Sequence, residues 1–363
     1  MFVYFGAHTQ ASSSRGIHAA WFDPADGSLG EPFLAAEAGN PTFLALAPNR
    51  RFLYSTGEFL ASPSAREPEG GILSFRIDAG SGRLEPINRE PTGGGLTTHL
   101  AVDGTGRMVA LANYHAAYVA ALPLLPDGRL GPRSALVDHR GLAPLGPNPA
   151  RQTQAHAHAV IFSPDNRFVY ACDLGLDRVF AYRADPIGAK LSPADPFQVA
   201  APPGSGPRHP RFSPDGRFLY VANEIGSSVS IYRCEADQGR LSLGRTISTL
   251  PADFAVASVP NTVAEIRIHP NGRFVYVSNR GHDSIAVFAR DPAQGGLSPV
   301  EIVPSGGRHP RNFDLAPDGR WLLCANRDTD NVVVFGVDPA SGRLAPTGRR
   351  ITVSQPVCVM FLP

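Results

Sequence analysis

One sequence pattern recurs along this 363-residue chain and constrains its fold more than any other feature. The reference copy spans residues 206–232 and reads GPRHPRFSPDGRFLYVANEIGSSVSIY. It consists of short apolar runs separated by a Pro-Asp-Gly turn and a polar corner, which is the pattern of consecutive antiparallel strands. Related copies begin at His156, Val263 and Arg308. Repetition of one small β unit predicts a repeat architecture rather than a set of unrelated domains.

The spacing of the copies predicts a propeller. An arginine opens the second strand of each complete unit, and these blade arginines are Arg51, Arg107, Arg167, Arg217, Arg273 and Arg320. Their intervals of 56, 60, 50, 56 and 47 residues lie near the about 40–50-residue period of four-stranded propeller blades. A Gly-x-Leu signal in most units marks the turn from the third strand to the fourth.

A seventh unit is divided between the two ends of the sequence. Residues 2–6 and 17–22 have the pattern of a second and a third strand, and residues 357–362 have the pattern of a first. Joining them closes a ring and removes an exposed sheet edge. We therefore predict an all-β fold, a seven-bladed β-propeller formed as one domain by residues 1–363, in which the C-terminal strand pairs with the N-terminal blade.

Two connections are longer than the rest. Residues 58–70 interrupt blade 2, and residues 132–155, rich in Pro and Gly, join blades 3 and 4. Loops of this length in a compact fold are often lids or binding loops.

Composition narrows the classes of partner. The net charge is only +1, so nothing points to nucleic acid or to an anionic membrane. The four cysteines are far apart and form no CxxC motif, which favours a reduced, cytoplasmic protein. The opening MFVYFGAH lacks the regions of an export signal, and no apolar run approaches the roughly 20 residues of a membrane span.

Alignment of the units predicts which side chains surround one end of the central channel. The first ring, five positions before the residue that precedes each turn, consists of Thr42, Thr98, His158, Arg208, Ala264 and Arg311. The second ring, at the corner after each second strand, consists of Glu58, Tyr114, Leu174, Glu224, Arg280 and Arg327. An Asn or Asp precedes the corner in most units, where it closes the turn. Structural filler in the first ring would be small or apolar, yet three of its members are His or Arg.

Blades 4 to 7 therefore combine many cations with a single carboxylate, Glu224. Arginine forks match carboxylate and phosphate oxygens, an ionised Glu can act as a general base, and His can move protons near neutral pH. This set predicts a small anionic substrate that undergoes acyl or proton transfer. For a single arginine at a corner, an ion pair with the adjacent blade is the more common explanation. His156 and His158 share a strand face as metal ligands do, but no third ligand accompanies them, so we expect no metal and no cofactor.

Several motifs together resemble the seven-bladed propeller lactonase family. They read RQTQAHAHAV, DLGLDRV, GPRHPRFSPDGRFLYVANE, SNRGHDSIAVF and RHPRNFDLAPDGRWLLCANRDTDNVVVF. The family includes bacterial 6-phosphogluconolactonases of the propeller type and fungal carboxy-muconate lactonizing enzymes. The resemblance covers essentially the whole chain and is strongest over residues 151–335. In blade 3 the chain has Thr97-Thr98-His99 and His115-Ala116-Ala117, where family members often carry Pro-Cys-His and a Gly-Ser.

The resemblance also implies roles for individual residues. In the lactonizing branch the proposed catalytic set is a His, an Arg, a Glu 16 residues later and a further Arg, and Arg208 and Glu224 have that spacing. The implied catalytic residues are His158, Arg208, Glu224 and Arg280, with His156 as the alternative histidine. Together with the aligned rings, this leaves as substrate-binding candidates His99, His156, His209, Arg308, His309, Arg311 and Arg327. His99 either faces the channel or packs in the core.

We expect a cytoplasmic lactonase that opens a sugar-acid lactone, with 6-phosphogluconolactone as the family's best-known bacterial substrate. Glu224, with His158, would activate water, while Arg208 and Arg280 would polarise the ring carbonyl. Two alternatives remain open at this point. The same groups could run the reverse chemistry in a muconate-type cycloisomerase, or the propeller could bind a metabolite or serve as a scaffold without catalysis.

Overall fold

The computed structural model describes residues 1–10, 12–60, 67–95, 97–255 and 259–363. Within these residues the chain forms seven antiparallel sheets, which we number as blades 1 to 7. The innermost strand of each sheet contacts the innermost strand of the next, and the last contacts the first, so the sheets form a closed ring. The seven-bladed propeller predicted from the repeat is confirmed.

The strands follow the same order in every blade, from the channel outward. The innermost strands of blades 1 to 7 are Pro356–Phe361, Leu44–Leu46, Thr97–Val102, Ala157–Phe162, Pro207–Phe212, Thr262–Ile268 and Pro310–Leu315. The second strands are Phe2–Ala7, Phe52–Phe59, Met108–Asn113, Phe168–Asp173, Phe218–Asn223, Phe274–Arg280 and Trp321–Asn326. The third strands are Gly16–Asp23, Glu69–Ile77, Tyr118–Pro123, Arg178–Asp185, Ser228–Glu235, Ser284–Arg290 and Asn331–Val337. The outer strands are Ser28–Leu29 with Phe33–Glu37, Leu84–Pro91, Ala135–Asp138, Lys190–Ala200, Arg240–Ser248, Leu297–Pro304 and Leu344–Thr352.

Blade 1 closes the ring as the divided unit predicts. Pro356–Phe361 pairs antiparallel with Phe2–Ala7, with Val3 opposite Phe361 and Phe5 opposite Val359. The inner edge of the N-terminal strand is thus paired, although the register shifts between Gly6 and Ala7, and without the C-terminal segment this edge would be open.

The two long connections differ from their predicted bounds. The strands of blade 2 extend to Phe59 and resume at Glu69, and residues 61–66 of the predicted connection lie outside the described residues. The predicted connection 132–155 contains the outer strand of blade 3, Ala135–Asp138. A single 3₁₀ turn, Arg327–Thr329, is the only helical segment assigned in the described residues, and none of their segments forms a helix long and apolar enough to cross a membrane.

The core lies between neighbouring sheets. Seven apolar clusters occur among the described residues, and the cluster between blades 7 and 1 joins Val3, Phe5 and Phe22 to Leu323 and Val332. Burial of this kind follows from nearly continuous apolar second strands, which are covered on both faces by adjacent blades.

A repeated tyrosine–glycine contact joins neighbouring blades. The tyrosine of a second strand donates its hydroxyl to the carbonyl of the glycine that begins the Gly-x-Leu turn of the next blade. The pairs are Tyr54 and Gly128, Tyr170 and Gly239, Tyr220 and Gly295, and Tyr276 and Gly342, at 3.2, 3.0, 2.8 and 2.9 Å. These glycines have positive φ, and a Cβ at Gly295 would lie 2.3 Å from the Phe218 ring. The turn signal seen in the sequence is therefore also a docking site for the preceding blade.

Several of the blade arginines also link one blade to the next. Arg217 pairs with Asp215 and donates to the Pro292 carbonyl in the next blade at 2.6 Å. Arg167 and Arg320 repeat this arrangement with Ala236 and Pro24. These side chains are about half exposed, yet they connect one blade to the next.

The tyrosine–glycine contact predicts that alanine substitutions at the adjacent Gly295 and Gly296 affect stability differently. We expect Gly295→Ala to lower the free energy of unfolding by about 1–3 kcal/mol, because alanine is strained at positive φ and its Cβ meets Phe218. Gly296→Ala is the matched control, since nothing lies within 4 Å of a Cβ there. Its effect should stay within about 0.5 kcal/mol. Urea titration of both variants measures the difference, and equal losses would contradict the docking role of Gly295.

Candidate active site

β-Bulges in the innermost strands turn the first-ring residues toward the channel. In blade 5, Pro207 pairs with Asn223 and His209 pairs with Ala222, so Arg208 has no partner across the ladder. The described registers of blades 1, 3, 4, 6 and 7 contain the same irregularity, at Val357, Thr98, His158, Ala264 with Glu265, and Arg311. An extra residue in one strand re-aims its side chain, which explains why this position carries His and Arg.

Glu224 lies at the corner that follows the second strand of blade 5. Its N–H donates to the Gly206 carbonyl at 2.7 Å, and the preceding Asn223 donates to the hydroxyls of Ser228 and Ser230. The turn is thereby fixed on both sides of Glu224, whose side chain is 6% exposed.

Three arginines and one histidine surround the Glu224 carboxylate. Arg208 Nε donates to Oε2 at 2.9 Å, and Arg280 Nη2 lies 3.0 Å from the same oxygen. Arg151, from the loop between blades 3 and 4, donates to Oε1. His158 Nε2 is 3.7 Å from Oε2. The catalytic candidates of blades 4, 5 and 6 therefore meet at one carboxylate.

Main-chain carbonyls of blade 6 hold two of these arginines in place. Arg208 Nη1 donates to the Ala264 carbonyl at 2.6 Å. Arg280 donates from Nη2 to Val263 at 2.8 Å and from Nε to Thr262 at 3.4 Å. The carbonyls of the bulged inner strand of blade 6 thus fix the orientation of both guanidinium groups before any substrate binds.

The electrostatics of the cluster fix its protonation states. Burial alone would raise the pKa of Glu224, but Arg280 and Arg208, with His158 and Arg151, hold it well below its ordinary value. Burial and then Arg208 lower the pKa of His158 well below its usual range. At neutral pH the site contains an ionised Glu224 beside a neutral imidazole.

A cavity of about 380 Å³ opens above this cluster. Its walls come from blades 3 to 7 and from the loop between blades 3 and 4. The lining residues are Thr98, Tyr114, His115, Arg151, His158, Glu224, Thr262, Arg280, His309, Arg311 and Arg327. Seven of the twelve positions in the two aligned rings therefore line one opening. Five do not line it: Thr42, Glu58, Leu174, Arg208 and Ala264.

Arg311 differs from the other cations of the cavity because it has no hydrogen bond or ion pair with any described residue. Burial, followed by Arg208 and Arg280, lowers the pKa of Arg311 well below its ordinary value. The positive charge of this cluster also acts on blade 1. Burial, followed by the charges of Arg311 and Arg327, lowers the pKa of His8 to about 4. Glu224 offsets part of the repulsion on Arg311, and a guanidinium whose N–H groups have no partner among the described residues is a ready binding group for an anion.

The remaining candidates on blade 7 are divided between the wall and the surface. Arg327 Nε donates to Asp328 at 2.6 Å, and Arg327 also lies beside His309. His309 and Arg327 line the cavity, whereas Arg308 is exposed and does not line it.

Three histidine candidates lie outside the cavity wall. His209 lies below His158, with ring centroids 5.2 Å apart, and its Nδ1 is 3.1 Å from the fully buried Glu265. His99 packs deeper still, against His209 and Phe43. His156 stacks on Tyr114 and bonds to its carbonyl at 3.0 Å. Of His156 and His158, it is His158 that lines the cavity.

Sequence reasoning missed Arg151, which contacts Glu224 directly. It also gave no role to Tyr114 and Thr98, although both stood in the aligned rings, or to His115 and Thr262. Arg151 lies in a loop without a counterpart in other blades, so the repeat carried no signal for it. The length of that loop and the family motif RQTQAHAHAV, which begins at Arg151, were the indications that it approaches the site.

Comparisons with known proteins identify the fold and its relatives. The family described as lactonase, 7-bladed beta-propeller, matches residues 2–361. The chain is similar to the 6-phosphogluconolactonase of Bacillus subtilis (strain 168), with 34% identity over 310 residues that cover 85% of this chain and 83% of that protein. It is 31% identical to the 6-phosphogluconolactonase of Formosa agariphila over 322 residues, which cover 86% and 85% of the two chains.

Solved structures agree with these sequence relatives. The periplasmic gluconolactonase of Pseudomonas aeruginosa superposes with a TM-score of 0.91 at 35% identity, covering 100% of this chain and 99% of that one. A protein from Lactobacillus plantarum gives a TM-score of 0.89 at 32% identity, with 100% and 99% coverage.

We expect the unpaired Arg311 to lower the stability of the fold while it favours anion binding. We expect Arg311→Met to raise the free energy of unfolding by about 1 kcal/mol or more, because it removes a half-buried cation that other arginines repel. Arg308→Met, on the exposed neighbour, should change it by less than about 0.5 kcal/mol. Thermal unfolding measures both, and a clear loss of stability in Arg311→Met would contradict the assignment.

Proposed function

The chain belongs to the seven-bladed β-propeller lactonase family, and we propose that it hydrolyses the lactone of a phosphorylated sugar acid such as 6-phosphogluconolactone. The observation that carries this proposal is the cavity beside Glu224, where one ionised carboxylate faces a group of arginines that includes the unpaired Arg311. An ester carbonyl and an anionic substituent on one small molecule match these two features. The named relatives are gluconolactonases, which supports the same substrate class.

In this proposal blade 7 binds the anion. Arg311 has no competing partner among the described residues, and Arg327 and His309 lie on the same wall. A phosphate there would supply the negative charge that the free cavity lacks. Guanidinium groups bind phosphate through paired N–H donors, so this wall would also orient the sugar.

The ester carbonyl would lie beside Glu224. Arg208 and Arg280 each use part of their donors on Glu224 and blade 6, and their remaining N–H groups would stabilise the oxyanion. Water adds to the carbonyl carbon, and Glu224, assisted by His158, accepts the proton. Collapse of the tetrahedral intermediate breaks the ring C–O bond. The proton that Glu224 accepted passes to the departing ring oxygen, which becomes a hydroxyl group. The product is the open hydroxy acid.

Two alternatives use the same surface. A muconate-type cycloisomerase would run related chemistry in reverse, but the named relatives favour hydrolysis. A scaffold propeller would present an apolar contact surface, whereas this cavity is lined mainly by charged and polar side chains.

A cytoplasmic location and a place in the pentose phosphate pathway are further parts of this proposal. Phosphorylated sugars are cytoplasmic metabolites, and the four cysteines are free, as in a reducing compartment. The solved relative from Pseudomonas aeruginosa is described as periplasmic. Cell fractionation of the native host therefore tests the location directly.

Glu224→Gln tests the catalytic assignment. The amide keeps the size of the side chain but cannot accept the proton from water, so we expect kcat to fall by about 10²–10⁴-fold with a smaller change in KM. Glu235→Gln, on the exposed end of the third strand of the same blade, is the control and should leave kcat unchanged. Turnover of 6-phosphogluconolactone, corrected for spontaneous opening, measures both. Unchanged kcat in Glu224→Gln would remove Glu224 from the reaction.

The protonation states predict an unusual pH profile. The pKa of Glu224 lies well below its ordinary value, as does that of His158. Neither group therefore changes charge near neutrality, and kcat/KM should vary less than about threefold between roughly pH 6 and pH 8. Activity should fall only at lower pH, as Glu224 gains a proton. A bell-shaped profile centred near pH 6.5 would contradict these assignments.

A further inference from the structure

We propose that Arg151 makes this enzyme selective for anionic lactones by covering Glu224 in the free enzyme and leaving it for the anionic group of the substrate. The inference rests on the proposed function and adds to it a residue that determines specificity. Its starting point is that both oxygens of Glu224 are occupied in the free protein: Oε1 by Arg151, and Oε2 by Arg208 and Arg280. A carboxylate offers about four acceptor sites, and the one site that these contacts leave open, on Oε1, lies beside the Arg151 guanidinium, where an attacking water would have to compete with it.

Only one of the three arginines is able to leave. Arg208 and Arg280 are 3% and 7% exposed and are bound to main-chain carbonyls of blade 6. Arg151 is 37% exposed, comes from a loop and stands at the open side of the cavity. Oε1 is therefore the oxygen that becomes available, and Oε2 stays bound.

The loop around Arg151 is held by contacts that do not involve the Arg151 side chain, which itself contacts only Glu224 and Tyr114 among the described residues. Gly146 N–H donates to the Gly175 carbonyl at 2.9 Å. The neighbouring Gln152 donates to the Leu174 carbonyl at 2.8 Å, and Gln154 donates to the His115 carbonyl at 3.1 Å. These anchors flank Arg151 on both sides. A change of rotamer, without a movement of the loop, would bring the guanidinium from Glu224 to a ligand in the cavity.

Charge determines which ligand draws Arg151 away. A phosphate dianion offers more charge than Glu224, whose single charge is already shared with Arg208 and Arg280, and it accepts two N–H donors of one guanidinium. After Arg151 leaves, two arginines still keep Glu224 ionised. Its pKa rises toward the ordinary value because one of the cations that lower it has gone, so it becomes a better base when the substrate is bound.

A neutral lactone lacks this effect. With a neutral lactone bound, Arg151 stays on Oε1 of Glu224. Hydrolysis then requires the charge-assisted hydrogen bond between Arg151 and Glu224 to break spontaneously. The selectivity for the phosphorylated substrate would then arise partly from exposure of the base and not only from tighter binding.

Arg151→Gln with two substrates tests the inference. For 6-phosphogluconolactone, kcat/KM should fall by about 10- to 100-fold, as expected from the loss of hydrogen bonds between charged groups. For neutral glucono-δ-lactone it should rise, because Glu224 is no longer covered. Arg140→Gln, which removes an exposed arginine at the start of the same loop whose ion-pair partner is Asp138, should change neither value.

Inorganic phosphate gives a second readout. Added to wild-type enzyme, it should accelerate hydrolysis of glucono-δ-lactone, whereas Arg151→Gln should not respond. Equal losses on both lactones would overturn the proposal, and so would a loss on the phosphorylated lactone without a gain on the neutral one, which marks Arg151 as an anion ligand only. Failure of the wild-type enzyme to open either lactone would instead refute the proposed function.

Discussion

The attraction between one buried carboxylate and three arginines is the interaction on which the site depends. Glu224 brings together cations from blade 5, blade 6 and an interblade loop, which without it would repel each other in a poorly solvated space. Arg311 lies in the same field without a partner of its own among the described residues. The free protein therefore retains an excess of positive charge at a single opening, although its overall charge is only +1.

The propeller keeps this charge cluster in position. Tyrosine–glycine contacts and blade arginines join five of the seven neighbouring pairs of sheets. The carbonyls of residues 262–264 hold two guanidinium groups. Rigid support of this kind means that little reorganisation is needed when charge develops on a substrate. The part that we propose to move is the Arg151 side chain, which comes from an anchored loop outside the repeated framework.

The sequence predicted the fold because the repeat encodes it many times. The period of the blade arginines and the divided seventh unit led to the ring and its closure without any side-chain detail. Alignment of the units also found the positions of Arg208, Glu224 and Arg280. It did not separate His156 from His158 or exclude His99 and His209 from the wall, because a bulge decides which neighbouring side chain faces the channel, and alternation alone does not show a bulge. Arg151 was missed because its loop is not repeated.

The pairing of the two ends in blade 1 has a consequence for biosynthesis. The ribosome produces Phe2–Ala7 about 350 residues before its neighbour Pro356–Phe361. At translation rates of about 5–20 residues per second, the nascent chain would keep an apolar edge open for roughly 20 to 70 s. During that interval the earliest blade is the part of the molecule most exposed to pairing with another nascent chain, and it is there that a chaperone would have most to protect.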